Sequence, residues 1–283
     1  MRRFLLVASF YLIVADLSGA ISDIKDSTYT FFPDIRLFPS MFLDPLECQL
    51  NGGTYVLFRE GSDASLYSIV NLGFTKPVFG RKGESLSWEL KFGVATFTQF
   101  DLVRRDDGTY LAGLLNNDYK VSGDFSVQKG DHNLQFRIFH VSSHHGDDYM
   151  LRHNDTIPND KSVNYEQADL TYLKTYGSNF WYAGIGEIYT QFAFRKRLSF
   201  NGGGLYNFRS SKPGNLFTSF NIKVFAENNF IPDIRTAIGF SFNRRSEPVL
   251  RLWLEYYSGQ LPYSTLDYGR VNWIGLAMRI GFL

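Results

Sequence analysis

The stretch Leu216-Phe217-Thr218-Ser219-Phe220-Asn221-Ile222-Lys223-Val224-Phe225-Ala226 decides the fold. In an extended chain successive side chains point to opposite sides. Leu216, Thr218, Phe220, Ile222, Val224 and Ala226 then share one face, while Ser219, Asn221, Lys223 and Phe225 share the other. A helix would scatter both sets around its axis, so the segment reads as a strand with one apolar and one mixed face. The same period runs through 234–242, where Ile234, Thr236, Ile238, Phe240 and Phe242 oppose Arg235, Ala237, Gly239 and Ser241. It recurs at 250–256 and 274–282, and at 88–101, 118–128, 134–142 and 166–173. Glycines blur it at 180–190 and 197–208, and it is least regular at 53–59 and 66–79.

These are twelve segments, mostly about ten residues long, which is the length that crosses a bilayer when tilted. Turn-forming residues separate them, as at Lys129-Gly130-Asp131, Gly177-Ser178-Asn179 and Lys212-Pro213-Gly214-Asn215. A soluble sandwich or lipocalin-like barrel would bury its apolar face and show charge outside. Here the polar face mixes mid-strand charges with Gly and Ala, which suits the lumen of a narrow barrel. The expected fold is all-β, a 12-stranded antiparallel transmembrane β-barrel of the outer-membrane type, over residues 51–283.

Composition agrees. Of 283 residues, 27 are Phe, 17 Tyr and 25 Gly, a bias toward strands and tight turns. The formal net charge of +1 lacks the basic excess of a nucleic-acid binder. A single cysteine, Cys48, excludes a disulfide framework and any multi-cysteine metal site. Arg2 and Arg3 precede the apolar run Phe4 to Val14, and Ser18, Gly19 and Ala20 follow at a cleavage point. Residues 1–20 therefore read as a signal peptide cleaved after Ala20, leaving 27 basic and 27 acidic residues in the exported chain. Residues 21–50, Pro-bearing and polar-aromatic, read as a periplasmic lead-in or plug.

Placing the N-terminus in the periplasm makes 103–117, 143–163 and 259–270 the outer loops, all long. The turns at 129–131, 175–179, 209–215 and 244–248 then face inward and are short or modest, the asymmetry of outer-membrane barrels. The connection near 193–196 is short and does not follow it. The last strand carries Phe282 beside the terminus and resembles the assembly signal of such barrels, with Leu283 putting the aromatic one place early.

Several stretches occur together: Leu37-Phe38-Pro39-Ser40, Leu43-Asp44-Pro45, Asn117-Asp118-Tyr119-Lys120-Val121, and His140-Val141-Ser142-Ser143-His144-His145-Gly146-Asp147-Asp148. Asn164-Tyr165-Glu166, Pro232-Asp233-Ile234-Arg235 and Glu255-Tyr256-Tyr257-Ser258-Gly259 follow in order. Over about residues 36–283 this resembles the domain of unknown function 1207 family of exported bacterial proteins. The resemblance implies an outer-membrane barrel in a bacterial cell and no assigned activity; outer-membrane lipids and the assembly machinery are the expected partners, and the near-zero charge argues against nucleic acid.

One cluster carries chemistry. All five histidines fall between residues 132 and 153. His140 and Ser142 share the apolar face of their strand, continuing Leu134, Phe136 and Ile138, and lie about 7 Å apart along it. They would point outward at the outer rim. The next strand descends with Ala168, Leu170 and Tyr172 outward, which puts Glu166 and Asn164 on the same face at the same rim. A serine nucleophile, a histidine base and a carboxylate that orients the base make the general acyl-transfer arrangement. The candidate catalytic set is therefore His140, Ser142 and Glu166; the sequence establishes an integral outer-membrane barrel without fixing its activity, and lipid acyl hydrolysis is the alternative that this set would serve. The local pattern resembles outer-membrane phospholipase A and lipid A deacylase. It departs from them in the longer loop before the acid and in Ser143, where those enzymes have Asn.

A second expectation is a narrow solute channel. The inner face would carry Lys91, Asp118, Lys120, Asp124, Arg137, Asp169, Lys223, Arg251, Glu255 and Arg279. Their mixed signs favour salt-bridging within the lumen over a selective pore. His144, His145, Asp147, Asp148, His153 and Asp155 could bind a divalent cation such as Ca²⁺, but no tight spacing indicates one, and a solvated loop is the simpler reading.

Overall fold

The computed structural model describes residues 28–33, 36–61, 63–104, 107–153, 164–190, 198–211, 214–244, 247–262 and 269–281. The signal-peptide reading, Asp155, the connection near 193–196 and the terminal Phe282 and Leu283 lie outside the described residues.

The strands are β1 (Thr28–Phe31), β2 (Asn51–Arg59), β3 (Ser65–Lys82), β4 (Ser87–Arg104), β5 (Tyr110–Lys129), β6 (His132–His145), β7 (Asn164–Tyr176), β8 (Asn179–Ile188), β9 (Leu198–Ser211), β10 (Gly214–Phe225), β11 (Asp233–Arg244), β12 (Glu247–Gln260) and β13 (Arg270–Ile280), with helix α1 at Asp147–His153. From β2 to β13 each strand pairs antiparallel with the next, and β13 pairs back onto β2. That closes a twelve-stranded barrel, and each of its strands covers most of one of the twelve alternating segments. Closure leaves no free sheet edge in the ring.

Alternation sorts the side chains between the two faces. On β10 Phe217, Ser219, Asn221 and Lys223 are buried inside, while Leu216, Phe220 and Ile222 are exposed outside. On β12 and β13 Trp253, Glu255, Trp273 and Ala277 are buried, and Leu252, Leu254, Ile274, Leu276 and Met278 are exposed. An exposed apolar belt of this extent has no place on a soluble monomer and matches an outer-membrane barrel. Gly130 (φ +56°) and Gly177 (φ +61°) take the first central position of two-residue hairpin turns, where the left-handed backbone matches strand twist and favours glycine.

The long-loop end differs from expectation in two places. The connection expected at 103–117 shrinks, because β4 and β5 continue past it and Arg104 pairs with Tyr110. The cause is a register shift between Gln99 and Phe100, opposite which Leu115 and Asn116 are both buried. A bulge of this kind puts two consecutive residues on one face and hides the period from a reading of the sequence. The connection expected at 143–163 starts with three further residues of β6, and α1 follows after Gly146. This helix docks on β5 through Gly146 N to Leu115 O (2.8 Å) and Leu114 N to Asp148 Oδ2 (2.8 Å).

Residues 37–50 cross the lumen. The short strand β1 pairs with the lower end of β3, Thr28 opposite Lys82, in line with and below β2. The chain then turns inward, where the amides of Leu37 and Phe38 donate to the Glu89 carboxylate (3.1 and 3.3 Å). Phe42 packs edge-on against Phe217 and Trp253, with the Arg251 guanidinium over its ring at 5.2 Å. Asp44, fully buried, binds Lys223 Nζ (2.6 Å) and Arg137 (3.5 Å), and Asn201 donates to it at 3.4 Å. Lys120 Nζ donates to Leu46 O at 2.6 Å, and Gln49 donates back to Phe42 O at 3.0 Å. Arg137 also pairs with Asp169 (2.8 Å) and Glu47 (3.3 Å). Arg235 pairs with Glu255 (2.8 Å), which accepts from both Trp253 and Trp273. Buried charges are stable only when paired and hydrogen-bonded, and here the plug supplies several of the partners. The lumen charges that a channel would need are largely committed to these contacts.

Candidate functional site on the outer face

β6 and β7 set the site by register. His140 stands opposite Glu166 and Ser142 opposite Asn164, on the outward face of both strands. Directly opposed side chains in antiparallel strands have Cβ atoms about 5 Å apart, within reach of a hydrogen bond between longer groups. His140 Nδ1 donates to Glu166 Oε1 at 2.8 Å. A carboxylate only accepts, so this bond places a proton on Nδ1, and in the neutral imidazole Nε2 is then the acceptor. The side chains are 45% and 32% exposed, so the pair contributes at most about 1 kcal/mol to stability.

The Glu166 backbone is held by the two residues that follow β8: its N–H donates to Thr190 Oγ1 (2.7 Å) and its carbonyl accepts from Tyr189 N (3.1 Å). Its second carboxylate oxygen, Oε2, has no hydrogen-bond partner among the described residues.

Ser142 is half-buried, and its Oγ shares a hydrogen bond with His144 Nε2 at 2.9 Å. His144 lies beyond the last β6–β7 pair, so among the described strands β5 alone pairs with it there. Tyr119 of β5 meets its ring edge-on at 5.8 Å. The three expected residues therefore share one face, but the bonds divide into two pairs, His140–Glu166 and Ser142–His144. His144 carried a signal in the sequence: its spacing from Ser142 equals that of His140, on the other side.

The acidic and histidine residues of the following loop are engaged otherwise. Asp147 and Asp148 occupy the first turn of α1, where carboxylates favour the helix dipole. Asp148 accepts the Leu114 amide, and His145 packs on Tyr149 with ring centroids 4.7 Å apart. Among the described residues no three His, Cys, Asp or Glu side chains are grouped to hold a metal ion.

The chain matches the family described as protein of unknown function (DUF1207) over residues 26–282, and it belongs to that family. No curated protein matches it. Among solved structures it resembles outer membrane phospholipase A from Escherichia coli at a TM-score of 0.52, with 11% identity and coverage of 88% of this chain and 95% of that one. The outer membrane phospholipase dimer of Salmonella typhi with bound calcium gives a TM-score of 0.52 and 8% identity, over 88% of this chain and 94% of that chain. At these identities the likeness is one of fold.

Proposed function

We propose that this member of the DUF1207 family is exported by a signal peptide cleaved after Ala20, resides in the outer membrane, and hydrolyses acyl esters of the lipid around its barrel. The observation that carries the proposal is the outward His140–Glu166 bond of 2.8 Å, two residues along the strand from Ser142 on the same face. A site facing out at the long-loop rim meets ester bonds of outer-leaflet lipid without extracting the lipid. A site in the plugged lumen would not.

The chemistry follows from the groups present. Ser142 Oγ is a weak nucleophile at neutral pH and needs a base. Turned toward His140, it would lose its proton to the free Nε2 as the Oγ–carbon bond forms and the carbonyl electron pair moves to oxygen. Collapse breaks the ester carbon–oxygen bond, and the leaving alkoxide takes the proton back from the imidazolium. Water then repeats the sequence on the acyl-serine and releases fatty acid. Glu166 keeps the imidazole in the required tautomer and stabilises its cation.

The test is a variant series on purified protein in detergent, with phospholipid and lipid A as substrates, with and without Ca²⁺. Ser142→Ala and His140→Ala should each lose about 10³-fold or more in rate while keeping the barrel folded, and Glu166→Gln should lose less. Equal product from wild type and Ser142→Ala would make the reading wrong.

A further inference from the structure

Ser142 sits between two imidazoles on one strand face, His140 on one side and His144 on the other. Its hydroxyl has one proton to give. That proton, or the hydroxyl's acceptor site, is taken by His144 Nε2 at 2.9 Å, while His140 is held at its far nitrogen by Glu166. The two histidines are not equivalent. Among the described residues no carboxylate pairs with His144, whereas Glu166 supplies a counter-charge to His140. His144 is instead steadied by the edge of Tyr119, an exposed aromatic of β5. It can hold the hydroxyl, and it is the poorer base.

Resting on the hydrolase reading, we propose that His144 is a positioning residue that parks the Ser142 hydroxyl away from His140, and that an arriving acyl ester releases it. The resting site is then latent: nucleophile and base are each engaged, but with other partners. Once lipid is seated the Ser142–His144 bond is already broken, so parking weighs on the free enzyme and not on the bound complex.

The experiment uses the full chain in detergent and the variant His144→Phe, which keeps a ring against Tyr119 and removes the nitrogens. Two readouts are taken: covalent labelling of Ser142 by a fluorophosphonate, and kcat and KM on phospholipid. In labelling, the serine oxygen bonds to phosphorus, fluoride leaves, and the proton passes to His140. Labelling should be about threefold to tenfold faster in His144→Phe, the worth of one hydrogen bond. kcat/KM should rise by the same factor with kcat unchanged, and His144→Gln, which restores a hydrogen-bonding group, should return labelling toward wild type. A fall like that of His140→Ala would make His144 the base and overturn the proposal, as would no change. Faster labelling in His144→Phe with no lipid hydrolysed by either protein would uphold the parking and sink the lipid substrate. Absence of labelling at Ser142 in both would sink both.

Discussion

Asp44 shows how much of this molecule rests on single residues. Its carboxylate is buried and meets Lys223 at 2.6 Å, and both groups lie out of solvent. Removing one member of a buried ion pair leaves the other uncompensated and costs about 3–5 kcal/mol. Asp44→Asn should therefore lower the thermal unfolding midpoint in detergent clearly, whereas Asp107→Asn on an exposed loop should leave it unmoved; equal midpoints would mean that Asp44 does not anchor the plug. At this scale the sequence was legible where period two applied. His140, Ser142 and Glu166 could be assigned one face because β6 and β7 alternate without interruption there. The role of Asp44 could not be read, since residues 37–50 follow no period and their partners, Arg137 and Lys223, lie far along the chain. His144 was visible as a residue but not as the partner of Ser142, because period two places both histidines on the serine's face and does not say which one its hydroxyl meets.

Among the elements, the twelve barrel strands were readable and the irregular pieces were not. The Leu115 bulge concealed the start of β5, and α1 is only seven residues long, too short for a helical period to stand out. β1 has four residues and, among the described residues, pairs only with β3. The plug is the element with the largest functional consequence. Phe42, Asp44 and Leu46 tie it to β5, β6, β10 and β12 at once, and we propose that these ties close the lumen. The intact protein should show no steady conductance in planar bilayers, and replacing residues 37–49 with a Gly/Ser linker should open one. Conductance from the intact protein, unchanged by that replacement, would mean that solute passes elsewhere and would revive the channel reading.

For the whole molecule, outward apolar residues and a filled, charged interior form an inside-out arrangement relative to soluble proteins, and this was the most legible property of all. It needed only the count of alternating segments and the content of their polar faces. The same pattern predicts heat-modifiable migration on gels and recovery in the outer-membrane fraction, and recovery as a detergent-free periplasmic monomer would contradict it; the proposed cleavage after Ala20, which rests on the N-terminal residues alone, predicts a mature N-terminus at Ile21. The proposed reaction is less legible than the fold, because a His-x-Ser pair is short and arises by chance, and the His140–Glu166 contact that supports the proposal is displayed only by the folded barrel. The most direct measurement is fatty-acid release from phospholipid vesicles carrying the reconstituted wild-type protein or Ser142→Ala. Hydrolysis at Ser142 predicts release by wild type and a loss of about 10³-fold or more in the variant, with both barrels folded; equal release, or none from either, would contradict it.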